Sequence, residues 1–221
     1  LGEGEPRIGA AGGGEGGGGE GGGGLRLRPA QPDDADAVAR LIHATAEAMY
    51  ERFAGDRDSS IRVLRAGFRR RGTGASSDVV TVAEVGGAVA GAMAAFPATE
   101  LDRRARRFMR VLLSCTPPWT WRETFRLYRL GAEVAPPPPP ASFYVDSLAT
   151  DPRHRRRGVA RALLGEAERR AREEGLPCVA LETAIDNDDA RALYEAVGFE
   201  AVDKRLPRDG LPGFVAYVKR V

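Results

Sequence analysis

The stretch from Phe143 to Ala184 constrains this chain most. An apolar segment, FYVDSLAT, is followed by a turn with Arg155, Arg156, Arg157 and Gly158 in a row, then by GVARALLGEAERRAREEG and by CVALETAI. Alternating and β-branched residues make the first and last segments strands. The middle one carries its aliphatic residues at helical spacing and stops at Gly175 and Pro177, a well-marked helix end. Strand, turn, helix and strand in that order point to an α/β arrangement, and the hairpin and closing strands described below make its sheet mixed.

The turn itself suits an anion. The first amides of a helix have no acceptor within the helix, the helix dipole places partial positive charge there, and glycine lets a ligand approach the backbone. Arginine adds charge-assisted hydrogen bonds that match phosphate oxygens. Taken alone, a solvated basic turn ahead of a surface helix would read the same way.

The remaining elements fall around this unit. Residues 1–24 hold half of the 28 glycines and few side chains that could repay ordering, which predicts a flexible tail. The fold is expected to occupy 25–221. Leu25 and Leu27 alternate with Arg26 and Arg28 as a short strand, and Pro32 with Asp33 opens a helix. Val38, Leu41, Ile42, Thr45, Met49 and Phe53 then predict one buried helical stripe, and Ile61–Arg70 a second helix. DVVTVAEVGGAVAGAMAAF predicts a hairpin turning at Gly86 and Gly87. DDARALYEAVG predicts a short helix, and FEAVDKRL and FVAYVKRV predict two closing strands.

Residues 101–141 change character. Eight arginines face three acids, and Pro136–Pro140 close the segment, which predicts one or two basic helices inserted ahead of the central strand and ended by a stiff connector. Over the whole chain 33 basic and 31 acidic residues nearly cancel, so charge gives no general argument for nucleic acid or membranes. No nucleic-acid partner is expected, and no stretch approaches the roughly 20 apolar residues of a membrane helix. Cys115 and Cys178 with His43 and His154 lack metal-binding spacing, so no metal is expected, and a reducing, cytoplasmic compartment is the better reading. His43 reads as a helix-surface or packing residue and His154 as a solvated turn residue.

Read from Arg155, RRRGVA is RxxGxA; it follows LAT at a strand end, and NDDARALYEAVGF (187–199) stands downstream. Both motifs in this order and separation resemble the GNAT superfamily of acyl-CoA-dependent N-acetyltransferases. The resemblance implies a mixed, mostly antiparallel sheet flanked by helices over 25–221, with acetyl-CoA as cosubstrate and an amine of a small molecule or peptide as acceptor. It further implies that Arg155 and the amides of Arg156, Arg157, Gly158, Val159, Ala160 and Arg161 hold the pyrophosphate of coenzyme A. Ala160 replaces the commoner glycine of the motif, a mild departure. Leu148, Ala149 and Thr150 would pair with the pantetheine arm as an added strand does, an amide near Leu148 would polarise the thioester carbonyl, and Asn187 would lie beside the arm.

Direct transfer needs a neutral amine and a proton for the departing thiolate. Tyr194 matches the family's tyrosine near the sulfur and, with an ordinary pKa near 10, carries the proton at neutral pH, which makes it the first catalytic candidate; the alternative is that its ring simply packs in the core. Asp146, two residues before Leu148, is the first candidate for the base and Glu182 the second, and either could instead bind a cationic substrate. Glu47–Asp58 and the 101–141 insertion would select the acceptor, and dimers are frequent in the family. The competing reading is a non-catalytic acyl-CoA sensor whose basic insertion binds a partner.

Overall fold

A computed structural model describes residues 24–221; the glycine-rich tail lies outside the described residues but for Gly24. Alternating residues at the start form β1 (Arg26–Pro29), and a turn at Pro32–Asp34 leads into α1 (Ala35–His43). Arg28 fixes that turn by bonding Asp34 at 2.7 Å and Glu84 at 2.9 Å. The Arg28 hydrogen bonds hold the Asp34 carboxyl below the usual carboxylate range.

The single stripe expected over 38–53 is broken. α1 ends at His43 and α2 (Glu47–Ala54) starts after Ala46, whose backbone is not helical. Thr45 turns its hydroxyl back onto the Ile42 carbonyl at 2.7 Å, a local bond that competes with helix continuation. Val38, Leu41 and Ile42 are buried as expected, whereas Thr45 is exposed. His43 is buried, which settles its packing role.

α3 (Arg57–Arg69) precedes the hairpin of β2 (Val80–Val85) and β3 (Ala88–Pro97), which turns at the two glycines. The insertion forms two helices, α4 (Leu101–Cys115) and α5 (Trp121–Val134). β4 (Ser142–Thr150), α6 (Val159–Glu173) and β5 (Cys178–Ala184) follow, then α7 (Asp188–Ala196), β6 (Glu200–Arg205) and β7 (Phe214–Arg220).

The seven strands run in the order β1-β2-β3-β4-β5-β7-β6, so β4 is central. Every pairing is antiparallel except that of β4 with β5. One face of the sheet packs α6 through Val159, Leu163, Leu164 and Ala167, together with Tyr194, Phe199 and Tyr217. The other packs α1 and α3 through Val38, Leu64 and Phe68. Leu163 and Leu164 are fully buried, each worth about 1.5–3 kcal/mol. α5 is seated on Phe53, Leu211 and Phe214 by Leu127 and Val134, so the insertion joins α2 to the connection between β6 and β7.

Candidate active site

β4 and β5 pair only from Ser142–Cys178 to Val145–Leu181. Beyond that point β4 stays on β3 as far as Thr150 and β5 stays on β7 as far as Ala184, so the two strands part and leave a cleft in the sheet. Just past the end of β4 the Asp151 N–H bonds the Ala90 carbonyl of β3 at 2.9 Å. Strand alternation then points the N–H groups of Ala149 toward β3 and those of Leu148 and Thr150 into the cleft.

The basic turn lies at the outer end of this cleft. Pro152–His154 form a tight turn capped by Asp151, which also holds Arg153 at 2.8 Å. Arg156 and Gly158 both have left-handed backbones, at φ 59° and 80°, a conformation glycine takes at little cost. This path lets α6 start abruptly at Val159. The first helical bond in this region is Ala162 N–H to the Gly158 carbonyl, so among the described residues the N–H groups of Arg156, Arg157, Gly158, Val159, Ala160 and Arg161 meet no acceptor. Arg155, Arg156 and Arg157 are exposed and, with Arg161, make no ion pair among the described residues.

Two further polar atoms nearby lack partners among the described residues. Thr150 Oγ1 and His154 Nδ1 are buried without a hydrogen bond, so His154 is half-buried and not the solvated turn residue expected. An anion-sized group with several acceptor oxygens would satisfy the free donors of this turn. α6 is brought close by Gly91 on β3: a Cβ there would lie 2.6 Å from Val159 Cγ1 and 2.9 Å from the Ala149 carbonyl.

The inner end holds the ionisable groups. Asp146 is an extra residue in β4, because Ala95 faces Val145 while Ala94 faces Ser147. A bulge at Asp146 therefore interrupts the regular strand alternation between Asp146 and Leu148. Asp146 reaches water, but protein crowds its other sides, and that desolvation pushes its carboxyl up to about 6 against the opposing Ser147 hydrogen bond and Arg104 charge. Glu182 on β5 accepts a hydrogen bond from the Tyr144 hydroxyl at 2.7 Å. Its burial, opposed by that bond and reinforced by the Asp146 charge, places it at about 7.

Tyr194 of α7 is 7% exposed and packs its ring against Phe199 and Tyr217 at 6.0 and 5.7 Å. The Tyr217 hydroxyl bonds Glu195 and Arg191, whereas the Tyr194 hydroxyl makes no hydrogen bond among the described residues. Burial and then the Glu182 charge push its phenol up to about 12. Asn187 is the N-cap of α7, accepting from Ala190 N–H at 3.3 Å and donating to Thr183 Oγ1 at 3.1 Å.

Sequence reasoning missed Tyr144. It sits two residues before Asp146, but its link to Glu182 follows only from the parallel register of β4 on β5. Tyr50 of α2 is the group facing Asp146 from the α1–α3 side. Burial and the Asp146 charge raise its phenol, while Ser147 and Thr45 act in the opposite sense. The segment 72–78 completes the wall and is tied by Arg104, whose guanidinium bonds the Thr73 carbonyl, Asp78 and Glu100. Among the described residues no cluster of three metal-ligating side chains exists, and no helix is long and apolar enough to cross a membrane.

Comparison with known proteins agrees with this geometry. The model of the acetyltransferase (GNAT) family matches residues 40–199. An uncharacterized protein of Mycobacterium leprae is 42% identical over 82 residues, 37% of this chain and 22% of that protein. The N-alpha-acetyltransferase RimI of Mycobacterium tuberculosis is 39% identical over 82 residues, again 37% of this chain and 50% of that protein. The matched stretch thus spans between about a fifth and a half of these relatives. An N-acetyltransferase from Staphylococcus aureus Mu50 shares the fold with a TM-score of 0.69 at 17% identity, covering 88% of this chain and all of that one. The chain belongs to the acetyltransferase (GNAT) family.

Proposed function

We propose that this chain is an N-acetyltransferase that moves an acetyl group from acetyl-CoA directly to an amine of a small molecule or a peptide. The observation that carries this reading is the cleft between β4 and β5, with six free amides at one end and Asp146, Glu182 and Tyr194 at the other. The family membership supports acetyl-CoA, which supplies the acetyl group as an activated thioester. RimI, an N-alpha-acetyltransferase, supports a peptide amino terminus as one acceptor class.

In this reading the amides of residues 156–161 and the Arg155 guanidinium bind the pyrophosphate. The N–H groups of Leu148 and Thr150, with the neighbouring Ala149 backbone and Asn187, align the pantetheine arm along β4, and the Leu148 amide donates to the thioester carbonyl oxygen. Glu182 is the carboxylate whose charge acts on Tyr194, which makes it the better base: it accepts the proton that the amine sheds. Tyr194 keeps its proton at neutral pH and gives it to the departing sulfur. Asp146, beside Tyr50, takes up the acceptor's positive charge before that proton leaves, and serves as the second candidate for the base.

Calorimetric titration with acetyl-CoA tests the cofactor half of this proposal. Wild type should bind in the micromolar range, and a variant combining Arg155→Ala with Gly158→Glu should not bind. Absence of binding by wild type would refute the reading.

A further inference from the structure

The outer face of α4 and the end of α3 form an arginine rim beside the inner end of the cleft. Arg106, Arg107 and Arg110 are exposed on α4, and Arg70 and Arg71 follow α3. None of the five makes an ion pair among the described residues. The acids that could neutralise them are engaged elsewhere: Glu100 bonds Arg103 and Arg104, and Asp78 bonds Arg104, which leaves Asp102 on this face of α4.

Two contacts join the rim to the site. The Arg107 guanidinium lies against Gly72, in the space that a Cβ there would fill. A Cβ at Gly74 would stand 3.4 Å from Asp146 Oδ2. Arg71 is therefore three residues from a wall residue of the acceptor end, at most about 10 Å along an extended chain. Carboxylates thus sit beside this wall, and at the edge five arginines face the one free acid Asp102. A ligand that complements both carries a cation at its reacting end and an anion no more than about 10 Å behind it.

Resting on the acetyltransferase reading, we propose that the acceptor is a peptide amino terminus followed by acidic side chains at about its third and fourth residues, which Arg71, Arg107 and their neighbours on α4 engage. An extended peptide advances about 3.3–3.6 Å per residue, which brings those side chains to the rim when the amine is beside Glu182 and Asp146. Exposed charges of this kind act chiefly on encounter and ground-state binding, so the preference belongs in KM and weakens with salt.

The experiment compares two synthetic peptides with free amino termini, identical except for Glu or Gln at residues three and four, using the full chain and saturating acetyl-CoA. The Glu peptide should show a kcat/KM higher by about tenfold at low salt, carried by KM and shrinking at high salt. In the variant combining Arg71→Ala with Arg107→Ala, kcat/KM for the Glu peptide should fall to that of the Gln peptide, while Arg107→Lys should retain the preference. Equal kcat/KM for the two peptides, or a preference that survives the double variant, would overturn the proposal. Acetylation of a simple aliphatic amine but of neither peptide would overturn it and leave the acetyltransferase reading standing. Failure to acetylate any amine would remove that reading, and the peptide proposal with it.

Discussion

Replacing Tyr144 with Phe removes one hydroxyl and leaves the ring packed against Phe96. In the structure that hydroxyl donates to Glu182 Oε1 at 2.7 Å, and the bond lowers the Glu182 pKa against the burial that lifts it to about 7. Burial and the nearby carboxylate charges raise the phenol's own pKa, so it is a full donor throughout any practical assay range. A hydrogen bond to a charged acceptor is worth about 1.5–3 kcal/mol, and one pKa unit corresponds to about 1.4 kcal/mol. Because Glu182 is only half-buried, water replaces part of the lost bond, and the lower end applies: about one unit.

The base must be unprotonated, so activity rises as pH climbs through the Glu182 pKa. Tyr144→Phe should therefore shift the acidic limb of kcat/KM upward by about one pH unit. The assay is thiol release from acetyl-CoA at a fixed acceptor, in buffers from acid to mildly alkaline, for wild type and variant. An identical acceptor in both arms cancels the titration of its own amine. A limb that stays in place would refute the assignment of Glu182 as base, and loss of the limb with most of the turnover in Asp146→Asn, without a shift in Tyr144→Phe, would transfer the role to Asp146.

Gly91→Ala drives a methyl into Val159 and the Ala149 carbonyl, so it should cost about 1–3 kcal/mol, lower Tm by several degrees and weaken acetyl-CoA binding as α6 is displaced; thermal melts and calorimetry check both. Glu182 is harder to ionise in the folded chain than in the unfolded one, so its contribution is most favourable at acid pH and is lost as pH rises to about 7. Glu182→Gln should accordingly raise Tm relative to wild type at pH values above about 7 and lose that advantage at mildly acid pH, measured by melts across the range.

The sequence made the frame legible where periodicity was undisturbed. The glycine hairpin, the helix from Val159 and the buried strand from Cys178 all lie where alternation and helical spacing put them. The break at Thr45 was hidden because the apolar spacing runs straight through it, and a side-chain bond to Ile42 decides the outcome. The bulge at Asp146 was hidden for a related reason: alternation in one strand carries no information about register on the next. The Tyr144–Glu182 pair required two strands 38 residues apart to be brought into parallel register. By contrast, the free amides of the RRRG turn are a local property of a strand, a glycine and a helix start, and could be read before any tertiary contact was known.

The most direct test of the account is turnover by Tyr194→Phe, measured with acetyl-CoA affinity on the same preparation. The variant keeps the ring that packs on Phe199 and Tyr217 and loses only the unpaired hydroxyl. The account predicts that wild type releases thiol only when an amine is supplied. It also predicts that the variant binds acetyl-CoA as wild type does and turns over at least about tenfold more slowly, a barrier increase of about 1.4 kcal/mol. Undiminished turnover by the variant would contradict it, and would leave the Tyr194 ring with a packing role alone.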